Sequence, residues 1–186
     1  MVETATAGFS LRAPRLLLRR WRKADSAPFA AISADPAVMA MLLPLADRAA
    51  SDAWIADACA HWAAHGFGLF AVELPGEAPL IGAVGLHRAP FAAPFPPVEI
   101  AWRLARSYWG RGYATEAARA AIADGFTRLG LDEIVAYTVP HNLRSRRVME
   151  RLGMCRDPND DFDHPRLPPG RALRRHVLYR LHRTRD

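Results

Sequence analysis

The chain has 186 residues, 51% hydrophobic and 24% charged, with a net charge of +6. That length suits one domain over residues 1–186, with its core over about 11–183, and the composition excludes a disordered chain. No apolar run approaches the roughly 20 residues that span a bilayer, and no basic-then-apolar leader opens the chain, so no membrane partner and a cytoplasmic location are expected.

Residues 11–21 alternate apolar and arginine positions around Leu16 and Leu18, the pattern of a half-exposed opening strand. Asp25 precedes an alanine-rich helix reaching Ser33. Residues 47–65 then place Trp54, Ile55, Ala58, Cys59 and Trp62 at helical spacing, ending at Gly66. Residues 67–73 and 80–87, joined through Pro75 and Gly76, predict a hairpin. Residues 89–97 hold four prolines and two phenylalanines. They read as a flap beside a substrate cleft or as a stiff loop over a core edge. In residues 98–104, Val98, Ile100, Trp102 and Leu104 share one face, which puts Glu99, Ala101 and Arg103 on the other. A helix with Ala118, Ile122, Phe126 and Leu129 along one stripe stops at Gly130. Residues 134–139 predict a strand. Pro140 and His141 end it, Asn142 caps the next helix, and Gly153 ends that helix. Residues 172–181 alternate as a last strand. The order predicts an α/β (α+β) fold, a mixed sheet flanked by helices.

Between the strand ending at Leu104 and the helix after it lies Trp109-Gly110-Arg111-Gly112-Tyr113-Ala114-Thr115-Glu116-Ala117. Glycines at alternate positions let the backbone turn tightly and approach a ligand, while the unpaired first amides of the helix point back at the turn. This is an anion site suited to a pyrophosphate, held by amides from Gly110 to Ala114 and by the Thr115 hydroxyl. It is not a Walker loop, because no lysine follows either glycine. It fits the dinucleotide fingerprint badly, because Thr115 takes the third small position and Asp132 and Glu133 start their strand rather than end it.

The segment resembles the acyl-CoA loop of the GCN5-related N-acetyltransferases, in the branch of the ribosomal-protein N-terminal acetyltransferases, written W-G-[KR]-G-Y-A-T-E-A. Asn142, Ser145, Val148, Glu150, Gly153 and Met154 resemble the branch's second signature. Residues 80–86 and 98–102 are similar to its third and fourth strands. The resemblance implies the acetyltransferase fold, with a mostly antiparallel sheet splayed between strands four (98–104) and five (134–139). It implies acetyl-CoA as cosubstrate, no metal, and an amine acceptor, either a peptide N-terminus or a small molecule, with the protein a monomer or homodimer. Cofactor contacts would come from Trp109, Gly110, Arg111, Gly112, Tyr113, Ala114, Thr115 and Asn142, with Arg144, Arg146 and Arg147 near the nucleotide 3′-phosphate.

Acetyl transfer to an amine needs a neutral amine, oxyanion stabilisation and a proton for the leaving thiolate. The resemblance puts the oxyanion donors on the backbone of residues 101–104 and Ser145 near the thioester sulfur. Capping is the alternative for Ser145 and for Asn142. Met149 stands where relatives outside this branch carry an acidic tyrosine. Glu99 is the candidate base, its pKa raised by a low-dielectric cleft, unless it pairs with Arg103 or Arg111. His87 is the other base candidate.

Cys59 and Cys155 are distant and form no ligand pattern, so buried thiols are expected. Residues 157–161 imitate a calcium loop, but Phe162 and Pro168 replace its glycine and glutamate. The acids there and His164 are read as a solvated loop or as facing a cationic substrate. Scattered arginines without an aromatic-interleaved motif predict no specific nucleic-acid partner. A noncatalytic acyl-CoA-binding protein is the rival reading.

Overall fold

The computed structural model describes residues 8–43, 45, 47–89, 91 and 98–184. The predicted opening strand is two, β1 (Leu11–Arg12) and β2 (Leu17–Arg19), because the chain turns at Pro14 and pairs Leu11 with Leu18. There follow α1 (Ser26–Ala34), α2 (Pro36–Met39) and α3 (Arg48–His65), of which α2 was not anticipated. The Asp47 carboxylate caps α3 by accepting from the Ala50 amide at 2.8 Å.

The hairpin forms as β3 (Leu69–Leu74) and β4 (Ala78–Arg88), and β4 pairs with β5 (Val98–Leu104) at seven register positions. After α4 (Tyr113–Thr127) come β6 (Glu133–Thr138), α5 (Leu143–Arg151), β7 (Cys155–Arg156), β8 (Phe162–Asp163) and β9 (Arg175–His182). The sheet runs β1-β2-β3-β4-β5-β6-β9-β7, with β8 on β9, and is antiparallel except where β5 meets β6. That parallel contact has one register pair, Glu99 with Val135. Beyond it the strands diverge toward their C-terminal ends, the splay expected between the fourth and fifth predicted strands.

Strand alternation sends Phe70, Val72, Val84, Leu86, Val98 and Ile100 to one face, against Ala117, Ala118, Ala121 and Ile122 of α4. The opposite face carries Ala71 and Ala83 under Phe29, Ile32 and Val38. A third apolar cluster, Val135, Phe162 and Leu178 with Phe91 and Tyr137, lies over β6 and β9. The thiols depart from expectation: Cys155 is exposed on the short strand β7, and Cys59 is half-buried. Of the proline-rich stretch, only Ala89 and Phe91 fall within residues 89–97 that are described.

One buried ion pair fastens β2 to the helical layer. Arg19 and Asp25 are 4% and 2% exposed and form two hydrogen bonds of 2.8 Å, while Arg19 Nε donates to Glu73 at 2.7 Å and Nη2 to the Pro79 carbonyl at 2.6 Å. The Asp25 bond, countered by burial, raises the Arg19 pKa. The Asp25 carboxylate therefore serves Arg19 rather than the first amides of α1. Asp25→Ala should destabilise the fold by about 3–5 kcal/mol, because it strands a buried guanidinium. Urea unfolding would test this, and a loss near zero would show that the cation rehydrates.

Candidate active site

The glycine bend is preformed. Gly110 and Gly112 have φ of 75° and 82°, left-handed values that favour glycine, and Gly112 is the N-cap of α4 with no side chain capping the first turn. A Cβ on Gly110 would meet nothing within 4 Å, and one on Gly112 only Arg15 Nη2 at 3.5 Å, so a diphosphate has space against the first-turn amides. The only acid in that turn, Glu116, is tied to Arg15: its oxygens accept from the Arg15 amide and Nε at 2.7 Å each. Arg15 Nη2 also donates to the Arg111 carbonyl at 3.1 Å, and the guanidinium lies 4.5 Å from the Tyr113 ring centre. An arginine thus stands beside the cradle, its negative partner already engaged. An open basin of about 660 Å³ continues from here, lined by Arg12, Arg15, Arg119 and Arg151.

Several expected cofactor residues act through backbone or scaffold. Trp109 donates from Nε1 to the Leu104 carbonyl at 2.8 Å, and Arg144 stacks 4.6 Å from its ring, which clamps the bend between β5 and α5. Tyr113 and Thr115 are each 7% exposed and Ala114 is half-buried, and Thr115 lines the basin beside the bend. Arg111 is exposed, 3.8 Å from Glu77. Arg147 is exposed on α5, whereas Arg146 is held inward by the Tyr179 hydroxyl at 3.2 Å and the Pro140 carbonyl at 3.0 Å, away from a phosphate role.

Ser145 closes the mouth of the splay. Its Oγ accepts from Trp102 Nε1 of β5 at 3.3 Å and from Asn142 Nδ2 at 3.1 Å. A hydroxyl oxygen has two acceptor sites and one proton, so Ser145 keeps its O–H to donate. Asn142 is the cap of α5: Oδ1 accepts from the Ser145 amide at 3.3 Å and Nδ2 also reaches Thr138 Oγ1 at 2.9 Å. Its amide thus does the capping work, with one lone pair of Oδ1 left over. Met149 is 2% exposed, in the core.

On the face away from α4, Glu99 pairs with neither Arg103 nor Arg111, as the sequence had allowed, but with His87. Their Nε2 and Oε1 atoms are 2.5 Å apart across the β4–β5 register. His87 Nδ1 faces the Arg88 carbonyl at 3.1 Å, so both ring nitrogens face acceptors. Burial disfavours the imidazolium, but Glu99 and that carbonyl outweigh it and raise the His87 pKa. Glu99 is 7% exposed. Tyr137 stands beside it and hydrogen-bonds to its carboxylate, and burial together with Glu99 pushes the phenol up. His164 and His176 complete the wall, with ring centres 5.1 Å apart and pKa values lowered chiefly by burial. The acids of the calcium-like loop are engaged elsewhere: Asp160 with Arg180, Asp161 with Arg156, and Asp163 with Arg174. Among the described residues no His, Cys, Asp and Glu group is arranged to hold a metal ion.

Sequence reasoning named both Glu99 and His87 but not their union, and it missed Arg15, Glu116 and Tyr137. Arg15 and Glu116 are 101 residues apart, and no local pattern joins them. The pairing of Glu99 with His87 follows from the β4–β5 register, which the two strand patterns alone left open.

The pattern of the acetyltransferase (GNAT) domain matches residues 15–155. The uncharacterized protein YkkB of Bacillus subtilis (strain 168) is 32% identical over 141 residues, 75% of this chain and 81% of that protein. The uncharacterized N-acetyltransferase YnaD of the same organism is 42% identical over 59 residues, 32% of this chain and only 35% of that relative. The crystal structure of an acetyltransferase from Agrobacterium tumefaciens str. C58 has a TM-score of 0.77 at 28% identity, over 98% of this chain and 99% of that one.

Gly112→Asp should weaken acetyl-CoA binding by more than about a hundredfold, because it sets a carboxylate against phosphate at a left-handed position. Arg15→Leu should weaken it about tenfold, the scale of one partly exposed charged hydrogen bond. Calorimetric titration measures both, and an unchanged affinity in Gly112→Asp would remove the phosphate from this bend.

Proposed function

The chain belongs to the acetyltransferase (GNAT) family, and on that premise we propose that it moves the acetyl group of acetyl-CoA directly to a primary amine. It is an N-acetyltransferase; the cosubstrate and the acceptor are the finer reading. The observation that carries it is the wedge between β5 and β6, which share one register pair, with the glycine bend and the Ser145 hydroxyl at its open end. Acetyl-CoA, when bound, supplies an activated acyl group as a thioester. The residues present fit it: uncapped amides for the diphosphate, a gap between strands for the pantetheine arm, and a hydroxyl donor for the sulfur.

The chain's own groups divide the remaining work. Backbone amides of residues 101–104, on the edge of β5 freed by the splay, hold the developing oxyanion. Ser145 donates a hydrogen bond to the departing thiolate, which takes its proton from water. Glu99 accepts the amine proton on its carboxylate, which His87 and Tyr137 hold in place, and the partly exposed edge of His87, at 21%, returns the proton to water. The acceptor is a peptide N-terminal amine or a small amine, met in the cytoplasm by residues 1–186 acting as one domain.

Ser145→Ala should lower kcat about 10–100-fold and leave acetyl-CoA affinity nearly unchanged, measured by thiol release and calorimetry. The pH profile tests the base. His87 must be neutral to relay the proton, so kcat/KM falls as pH drops through the His87 pKa. Because Glu99 lifts His87, that acid limb sits above the ordinary imidazole range. In Glu99→Gln the charge that lifts His87 is gone and only the Arg88 carbonyl opposes burial, so the limb should move to lower pH and the plateau fall about 10²–10⁴-fold. A limb that stays in place would demote Glu99 to a structural role.

A further inference from the structure

Among the described residues Arg103 is a cation without an anion. It extends from β5 on the same face as Glu99, beside the stacked rings of Phe29 and Trp54, whose centres lie 5.4 and 5.1 Å from its guanidinium carbon and 4.7 Å from each other. Nη1 donates to Ser33 Oγ at 3.1 Å, while Nε is buried with no hydrogen-bond partner. No carboxylate among the described residues pairs with it, and burial alone pushes its pKa down to about 10. The contrast with Arg19 is direct. That arginine has Asp25 and Glu73, and a fold that buries a guanidinium for stability supplies such partners. Aromatic faces and one hydroxyl offset only part of the desolvation cost.

Its place on the strand says what the cation faces. Positions 99, 101 and 103 alternate onto one side of β5, so Glu99 and Arg103 stand four residues apart, about 13 Å between Cα atoms, with Ala101 between them. Glu99 lies toward the third apolar cluster, beside Tyr137, and Arg103 toward the second, beside Phe29. The half-buried Ala101 lets a ligand lie on the strand between the two groups. The buried Nε has no partner among the described residues, and a carboxylate matches the Nε edge of a guanidinium with two parallel hydrogen bonds.

We propose that the acceptor carries a carboxylate in addition to its amine, and that Arg103 receives it while the amine lies at Glu99. The substrate class is an amino acid, or a peptide whose N-terminal amine is followed closely by a carboxylate. This rests on the acetyl-transfer reading and adds a specificity-determining residue to it. Arg103 touches the acceptor away from the reacting atoms, so it acts on KM rather than on kcat.

Matched amines test this: 6-aminohexanoate against hexylamine, and the alanyl-aspartate amide against the alanyl-asparagine amide. Each is titrated calorimetrically into the protein saturated with CoA, and thiol release from acetyl-CoA is followed in parallel. The carboxylated member of at least one pair should bind about tenfold or more tightly, the scale of a charged hydrogen bond. Arg103→Met should erase that preference, while Arg103→Lys should retain part of it. Equal binding within both pairs of the wild-type protein would overturn the proposal, and that result needs no variant to fold. So would a preference that survives in Arg103→Met. A preference without thiol release from any amine would sink the transfer reading and leave the anion site standing.

Discussion

A single contact governs this structure: the parallel pairing of β5 with β6 at Glu99 and Val135, and its failure beyond that point. On its other side β5 is held by β4 at seven positions, so it has no freedom to follow β6. The backbone groups of its C-terminal half are left facing a wedge instead of a partner strand. Unpaired backbone groups inside a sheet are costly unless something else satisfies them. Trp102 and Ser145 bridge the mouth, and the wedge invites an extended, amide-bearing ligand to complete the sheet.

The bend and the wedge are mechanically one unit. Trp109 is bonded to the last residue of β5 and covered by Arg144 from α5, which ties the glycine bend to β5 and to the helix carrying Ser145. Arg15 and Glu116 add a second clamp, from the β1–β2 turn to the start of α4. A diphosphate held at the bend would be registered against the gap between the strands, and positioning is most of what direct acetyl transfer requires.

Charge is distributed with the same division of labour. Arg19, Asp25 and Glu73 neutralise one another inside the fold, and the acids of residues 157–163 are matched to arginines of β7 and β9 and the turn before β9. On the face of β5 away from α4 the pattern changes. Glu99 is held by His87 and Tyr137, and among the described residues Arg103 is left with aromatic rings and one hydroxyl. A group kept incomplete in this way carries a cost in stability that a ligand can relieve.

The sequence determined the elements and the phosphate bend by local physics. Alternation marked Val98, Ile100 and Leu104 as core and Glu99 and Arg103 as the other face. Gly110 and Gly112 announced left-handed backbone before a helix, and Asn142 announced a cap. Pro14 split a strand that alternation alone had run together, because the apolar–arginine pattern continues across the turn. What only the tertiary structure decided were partnerships between distant residues: His87 with Glu99, Arg15 with Glu116, Trp102 with Ser145, and Arg103 with no anion among the described residues. Strand register and helix docking set these, and they depend on the packing of the whole sheet rather than on any local spacing of residue types.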